Sequence, residues 1–119
     1  MQDPDKLRVS PAAEELAVLV YQLTAAFPRE ERFGLTLQMR RAAVAIGSNI
    51  FEGAGHRTNK QFAASLSHAH SESNELFFQT RLSQRLKFGD ATVAAKVKRR
   101  TEHVRRMLFN LIKQVDGEE

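Results

Sequence analysis

Residues 34–82 read GLTLQMRRAAVAIGSNIFEGAGHRTNKQFAASLSHAHSESNELFFQTRL. Apolar and small side chains in this stretch recur at three- and four-residue steps, which is helical periodicity, and no segment alternates with the period of a strand. The spacing predicts a helix from near Gly34 that buries Leu35, Met39, Ala42, Ala43, Ile46 and Ile50, with Gly53 and Gly55 at its end. Thr58 or Asn59 then caps a second helix on which Phe62, Leu66, Ala69, Ser73, Leu76 and Thr80 share a face, small in the middle, that Gly89 closes.

Working outward, Ser10-Pro11 serves as N-cap and first residue of a helix carrying Leu16, Leu19, Val20, Leu23 and Phe27 on one face, and Pro28 stops it before the charged turn Arg29–Arg32. On the other side Asp90 caps a last helix with Val93, Val97, Val104, Leu108, Leu111 and Val115 along one seam. Four helices joined by short connections pack antiparallel with their neighbours. The expected fold is therefore all-α: an antiparallel up-down-up-down four-helix bundle, one domain over residues 10–116 after a short tail of residues 1–9.

The central stretch resembles the four-helix-bundle proteins of the 23S rRNA-intervening sequence family. That family has a helix reading roughly L-x-x-Q-x-R-R-A-A-x-S-I-P-S-N-I-A-E-G, a basic turn, and a helix that begins with Phe and carries Glu-Leu near its middle. Here Gln38, Arg40, Arg41, Ala42, Ala43, Ile46, Ser48, Asn49, Ile50, Glu52, Gly53, Arg57, Phe62, Glu72, Ser73, Glu75 and Leu76 follow in that order, with Tyr21, Leu23, Thr24, Phe27 and Pro28 upstream. Two positions depart from the pattern: Gly47 stands where the family carries proline, which softens a kink, and Phe51 stands where it carries alanine. The resemblance implies a homo-oligomer, a ring of five subunits, and it supplies no reaction.

Composition narrows the function classes. The 119 residues include no cysteine, so a disulfide framework and thiolate metal sites are excluded. No apolar run approaches the ~20 residues that span a bilayer, and residues 1–9 are too charged for a secretory leader, so a cytoplasmic protein without a membrane partner is expected. The formal net charge is +4, but between Arg81 and Lys113 ten basic residues face only Asp90 and Glu102. Phe51, Phe78 and Phe109 fall off the apolar seams of their helices, and three displaced rings suggest a second buried surface made by self-association.

No catalytic or metal constellation emerges. A di-iron site in a bundle needs Glu-x-x-His on each of two helices, whereas this chain has Glu52-x-x-x-His56, His68-x-x-x-Glu72 and Glu72-x-x-Glu75. No metal or other cofactor is expected. His68 and Glu72 read as a surface pair, and His70 reads as solvent-facing. The serines lie inside helices with no strained turn to present a nucleophile, and Gly53-Ala54-Gly55 lacks the strand and helix context of a phosphate loop, so no catalytic residue is assigned. An enzyme would need a cleft lined by Glu52, Glu72 or Glu75 with raised carboxyl pKa values. The polar motif of Asn49, Glu52, Glu72 and Glu75 reads instead as structural, with Arg40, Arg41 and Arg57 as its partners across helices or subunits.

The last helix is two-sided. With Val93 at 0°, the apolar seam spans about 0–60°, while Lys98, Arg99, Arg105, Arg106 and Lys113 spread over about 120–240° with Phe109 among them. Phe109 is placed to stack on a base or under a cation, and Arg81 with Arg85 extends the patch from the preceding helix. Two functions suit this surface: contact with RNA or DNA backbone, or with a nucleic-acid-associated protein, by a non-enzymatic oligomer; or a scaffolding oligomer that binds another protein through the same face or through Phe78 and Phe109.

Overall fold

In a computed structural model of the chain, residues 7–117 are described. Four α-helices follow in order, α1 Val9–Ala25, α2 Leu35–Ala54, α3 Asn59–Arg85 and α4 Ala91–Gly117, with a 3-10 turn at Arg29–Glu31 between the first two. There is no strand among the described residues. Residues 1–6 of the expected tail lie outside the described residues, while Val9 is already buried in α1.

Each helix packs on two others around a square: α1 against α2 and α4, and α3 against α2 and α4. Cross-helix pairs run in opposite senses. Asn74 meets Arg105 and His70 meets Phe109 between α3 and α4, while Glu15 meets Arg100 and Leu23 lies against Gly89 between α1 and the head of α4. The all-α four-helix bundle is thus the observed architecture. Its core holds Leu16, Val20, Leu23, Met39, Ile46, Ile50, Leu66, Leu76, Val97, Val104 and Leu108, with Ala42, Ala43, Ala69 and Ala94 where the helices approach closely. Five buried hydroxyls are satisfied within their own helices: Thr24, Thr80 and Thr101 donate to the carbonyls of Val20, Leu76 and Val97, and Ser73 and Ser83 to those of His70 and Thr80.

The helix ends correct the sequence reading at two places. Ser10 is not a cap. Its backbone N–H donates to the Leu7 carbonyl at 3.1 Å, which carries the turn back past it, so its hydroxyl is buried and lacks a hydrogen-bond partner among the described residues. Pro11 then sits in the first turn, where a missing N–H is harmless. At the end of α3 the left-handed residue is Lys87 (φ 59°) rather than Gly89 alone. The Lys87 and Phe88 N–H groups donate back to the carbonyls of Gln84 and Ser83, the paired pattern of a Schellman motif, and Phe88 packs on Phe27 at 5.6 Å between ring centroids. Gly89 has φ 72° as well, and a Cβ there would fall 2.8 Å from Leu23 Cδ1, so its role is to let the chain pass α1 closely.

The other signals hold. Thr58 Oγ1 accepts from Gln61 N at 3.1 Å, and Asp90 Oδ1 accepts from Thr92 and Val93 N at 2.8 and 3.0 Å. On α4 the buried seam is Ala94, Val97, Thr101, Val104, Leu108 and Val115, with Val93 and Leu111 only half-buried at its flank. The sequence reading missed Ala94 and Thr101, which lie at about 100° and 80° on the same wheel and shift the contact arc toward α3 and its small residues.

Candidate nucleic-acid interface and polar groove

Two surfaces flank α3. The first is formed with α4 and is cationic and aromatic. Lys98 Nζ lies 5.9 Å and Arg105 Cζ 4.5 Å from the centroid of the Phe77 ring, and Arg105 also donates to Asn74 Oδ1 at 3.2 Å. Antiparallel pairing of α3 and α4 brings these groups together. Phe77 is the residue that sequence reasoning missed, because it falls between Leu76 on the core face and Phe78 in solvent, and only the pairing of α3 with α4 reveals its cations.

Farther along, Phe109 is 54% exposed, with Lys113 Nζ 5.4 Å from its centroid and the His70 ring 6.3 Å away at a 44° tilt. His70, Arg105, Arg106, Phe109 and Asn110 line one shallow cleft. His70 is half-buried against α4 rather than solvent-facing, and its pKa is lowered, first by burial and then by the Arg105 charge. Both effects favour the neutral ring.

The remaining cations are placed more loosely. Arg106 pairs with Glu102 at 3.7 Å on the exposed side of α4, a contact of little energetic weight. Arg99 is exposed and joins no ion pair among the described residues. Arg81 and Arg85 are exposed on the last two turns of α3, one and two turns beyond Phe77, so they continue the same side of the bundle. The structure therefore groups Lys98, Arg105, Phe109 and Lys113 about Phe77 and His70, with Arg106 in the same cleft and Arg81 and Arg85 farther along α3, while Arg99 is exposed on α4 outside these contacts. The rings of Phe51 and Phe78 are 38% and 65% exposed.

The second surface is a groove between α2 and α3 lined by Gln38, Arg41, Ala42, Ala45, Glu72, Glu75 and Gln79. It separates two residues that the sequence reading grouped. Arg40 turns to α1, where Nε donates to Thr24 Oγ1 at 2.8 Å and the guanidinium lies 4.5 Å over the Tyr21 ring. Arg41, about 100° further round α2, faces the groove. So Arg40 serves the α1–α2 contact, not the acidic motif, and Arg41 makes no ion pair with Glu72 or Glu75 among the described residues.

Glu72 and Glu75 instead face each other. The Glu72 pKa is raised, first by burial, then by the charge and hydrogen bond of Glu75, with His68 acting in the opposite sense. Asn49 is half-buried, while Glu52 and Arg57 are exposed and outside this groove. At the α2–α3 turn, His56 Nε2 lies 3.1 Å from Ser65 Oγ, a contact that sequence spacing did not single out. Among the described residues no group of three or more His, Cys, Asp or Glu side chains is gathered as for a metal ion.

These features define a small antiparallel helical bundle with a cationic aromatic face on α3–α4 and a polar groove on α2–α3. The profile of the 23S rRNA-intervening sequence protein family matches residues 5–110, and the chain belongs to that family. Among solved structures, it is similar to a protein of unknown function from the S23 ribosomal protein family of Bacteroides thetaiotaomicron. The two are 24% identical over 88% of this chain and 95% of that one, with a TM-score of 0.80, a likeness that shows the fold. A comparison with curated proteins finds no match. No described helix is long and apolar enough to cross a membrane.

Proposed function

We propose that the protein is a non-enzymatic, cytoplasmic homo-oligomer, a pentameric ring, whose α3–α4 face binds the backbone of RNA or DNA, or a nucleic-acid-associated protein. The observation that carries this reading is the clustering of Lys98, Arg105 and Lys113 around the rings of Phe77 and Phe109, with exposed Arg106, Arg81 and Arg85 on the same side and exposed Arg99 elsewhere on α4. Cations set beside the exposed ring of Phe109 suit a single-stranded backbone whose bases stack without sequence reading. Ring symmetry would multiply the cations offered to one strand. A second reading, a scaffold that binds another protein, draws support from the exposure of Phe78 and Phe109.

Ionic strength separates the two. Five phosphates neutralised on a single strand give a salt slope of about −3.5, so a fourfold rise in salt weakens binding by about 100-fold. Light scattering on nucleic-acid-free protein, followed by titration of labelled single-stranded RNA at 50 and 200 mM salt (about the range that resolves such a slope), checks both the assembly and the contact. The control replaces Arg99, Arg106 and Lys113 with Glu, all exposed and none required by the core. Salt-sensitive binding lost in that variant is the expected result. An oligomer indifferent to RNA at both salts would transfer the face to a protein partner.

A further inference from the structure

The α3 side of the α2–α3 groove gathers acceptors. Glu72, Glu75 and Gln79 lie at i, i+3 and i+7 on one side of α3, and all three line the groove. Gln79 is only 8% exposed, and its Oε1 is shut off from solvent with no hydrogen-bond partner among the described residues. An orphaned buried carbonyl costs about 1–3 kcal/mol, which a bound donor would recover. Beside it, Glu72 and Glu75 lie one turn apart and make no ion pair with a cation among the described residues. Opposite them on α2, the small side chains of Ala42 and Ala45 lie beside Gln38 and Arg41 and leave room there for a flat group.

We propose that this groove is a recognition site for a guanidinium group, the side chain of an arginine from another polypeptide, held by Glu72, Glu75 and the buried carbonyl of Gln79. A guanidinium is planar and offers five N–H donors in a fixed fork, enough for two carboxylates and one amide oxygen at once. Its delocalised charge is weakly hydrated and tolerates the nearby Arg41 better than a compact ammonium or divalent ion does. The proposal is independent of the α3–α4 face, which lies on the other side of α3.

The test is titration of isotope-labelled full-length protein with argininamide, followed by NMR at the Gln79 side-chain amide and the α2 and α3 backbone amides. Saturable shifts confined to the groove are expected, with lysinamide and tetramethylammonium at least about tenfold weaker, the equivalent of one lost charge-assisted bond. Glu75→Gln, at an exposed position, and Gln79→Met, near in volume, should each weaken argininamide by at least about tenfold while thermal unfolding confirms that both variants fold. Light scattering identifies the source of the arginine. If argininamide or Glu75→Gln lowers the mass of an assembled wild type, a second copy of the chain supplies it; if argininamide binds and the mass is unchanged, a different protein does. Absence of both localised shifts and a mass change, equal shifts with tetramethylammonium, or unaltered affinity in both variants would overturn the proposal.

Discussion

Gly47 and Gly53 lie six residues apart in the same helix, and the same substitution should act on them in opposite directions. Neither has a positive φ, so alanine fits the backbone at both. In a helix interior alanine is favoured over glycine by about 1 kcal/mol. A Cβ on Gly47 meets nothing within 4 Å, so Gly47→Ala should realise that full gain. A Cβ on Gly53 would lie 2.8 Å from Ser65 Cβ and 3.1 Å from Phe62 Cδ1. The Ser65 atom is fixed to the α3 backbone, so relief requires α2 and α3 to part, or the end of α2 to bend. Overpacking of this kind costs about 1–3 kcal/mol. Because a backbone-anchored atom gives way less than a side-chain tip, the upper half of that range applies, and about 1–2 kcal/mol of destabilisation remains after the helix gain. Chemical denaturation followed by circular dichroism measures both variants against the parent. Protein concentration must be held equal, since self-association would make the midpoint depend on it. The two variants should bracket the parent and differ by about 2–3 kcal/mol. Shifts of the same sign, or a Gly53→Ala variant as stable as Gly47→Ala, would refute the close approach of α2 and α3 at this end of the bundle.

Lys87 occupies the left-handed position that closes α3, a conformation costing a non-glycine residue about 1–2 kcal/mol, so Lys87→Gly should stabilise the protein by about 0.5–1 kcal/mol in the same assay. On the cationic face, Arg105→Gln should raise the pKa of His70, read by NMR titration of its imidazole, yet leave it below the ordinary 6.5 because burial, the larger cause, persists. With the folded pKa lowered, the unfolded chain binds more protons below about pH 6.5, so stability falls as pH drops through the folded value, and that loss should be smaller in the variant.

Much of the fold was legible in the chain itself. Buried seams on all four helices, the caps at Thr58 and Asp90 and the stop at Pro28 are local signals, set by periodicity and backbone chemistry within a few residues. The off-seam position of Phe51, Phe78 and Phe109 and the cationic arc of α4 were legible for the same reason, since a helix wheel needs only 100° per residue. Helix ends were less so: Ser10 lost its capping role because Leu7 extends the turn, and Lys87 took the left-handed position where a glycine two residues later was the stronger local signal.

Only the tertiary structure decided which groups meet across helices. A one-dimensional pattern states which face a residue occupies but not the axial register of its neighbour, and a shift of one turn, about 5.4 Å, changes every pair. That register puts Lys98 and Arg105 over Phe77, swings His70 under Phe109, and sends Arg40 to Tyr21 while Arg41 faces Glu72 and Glu75. It also buries the amide oxygen of Gln79 without a partner among the described residues, a fact no spacing rule contains, because burial depends on the helix opposite. The sequence by itself determined the bundle, its four helix faces and its family; the packing of α3 between α2 and α4 decided the chemistry of the two surfaces.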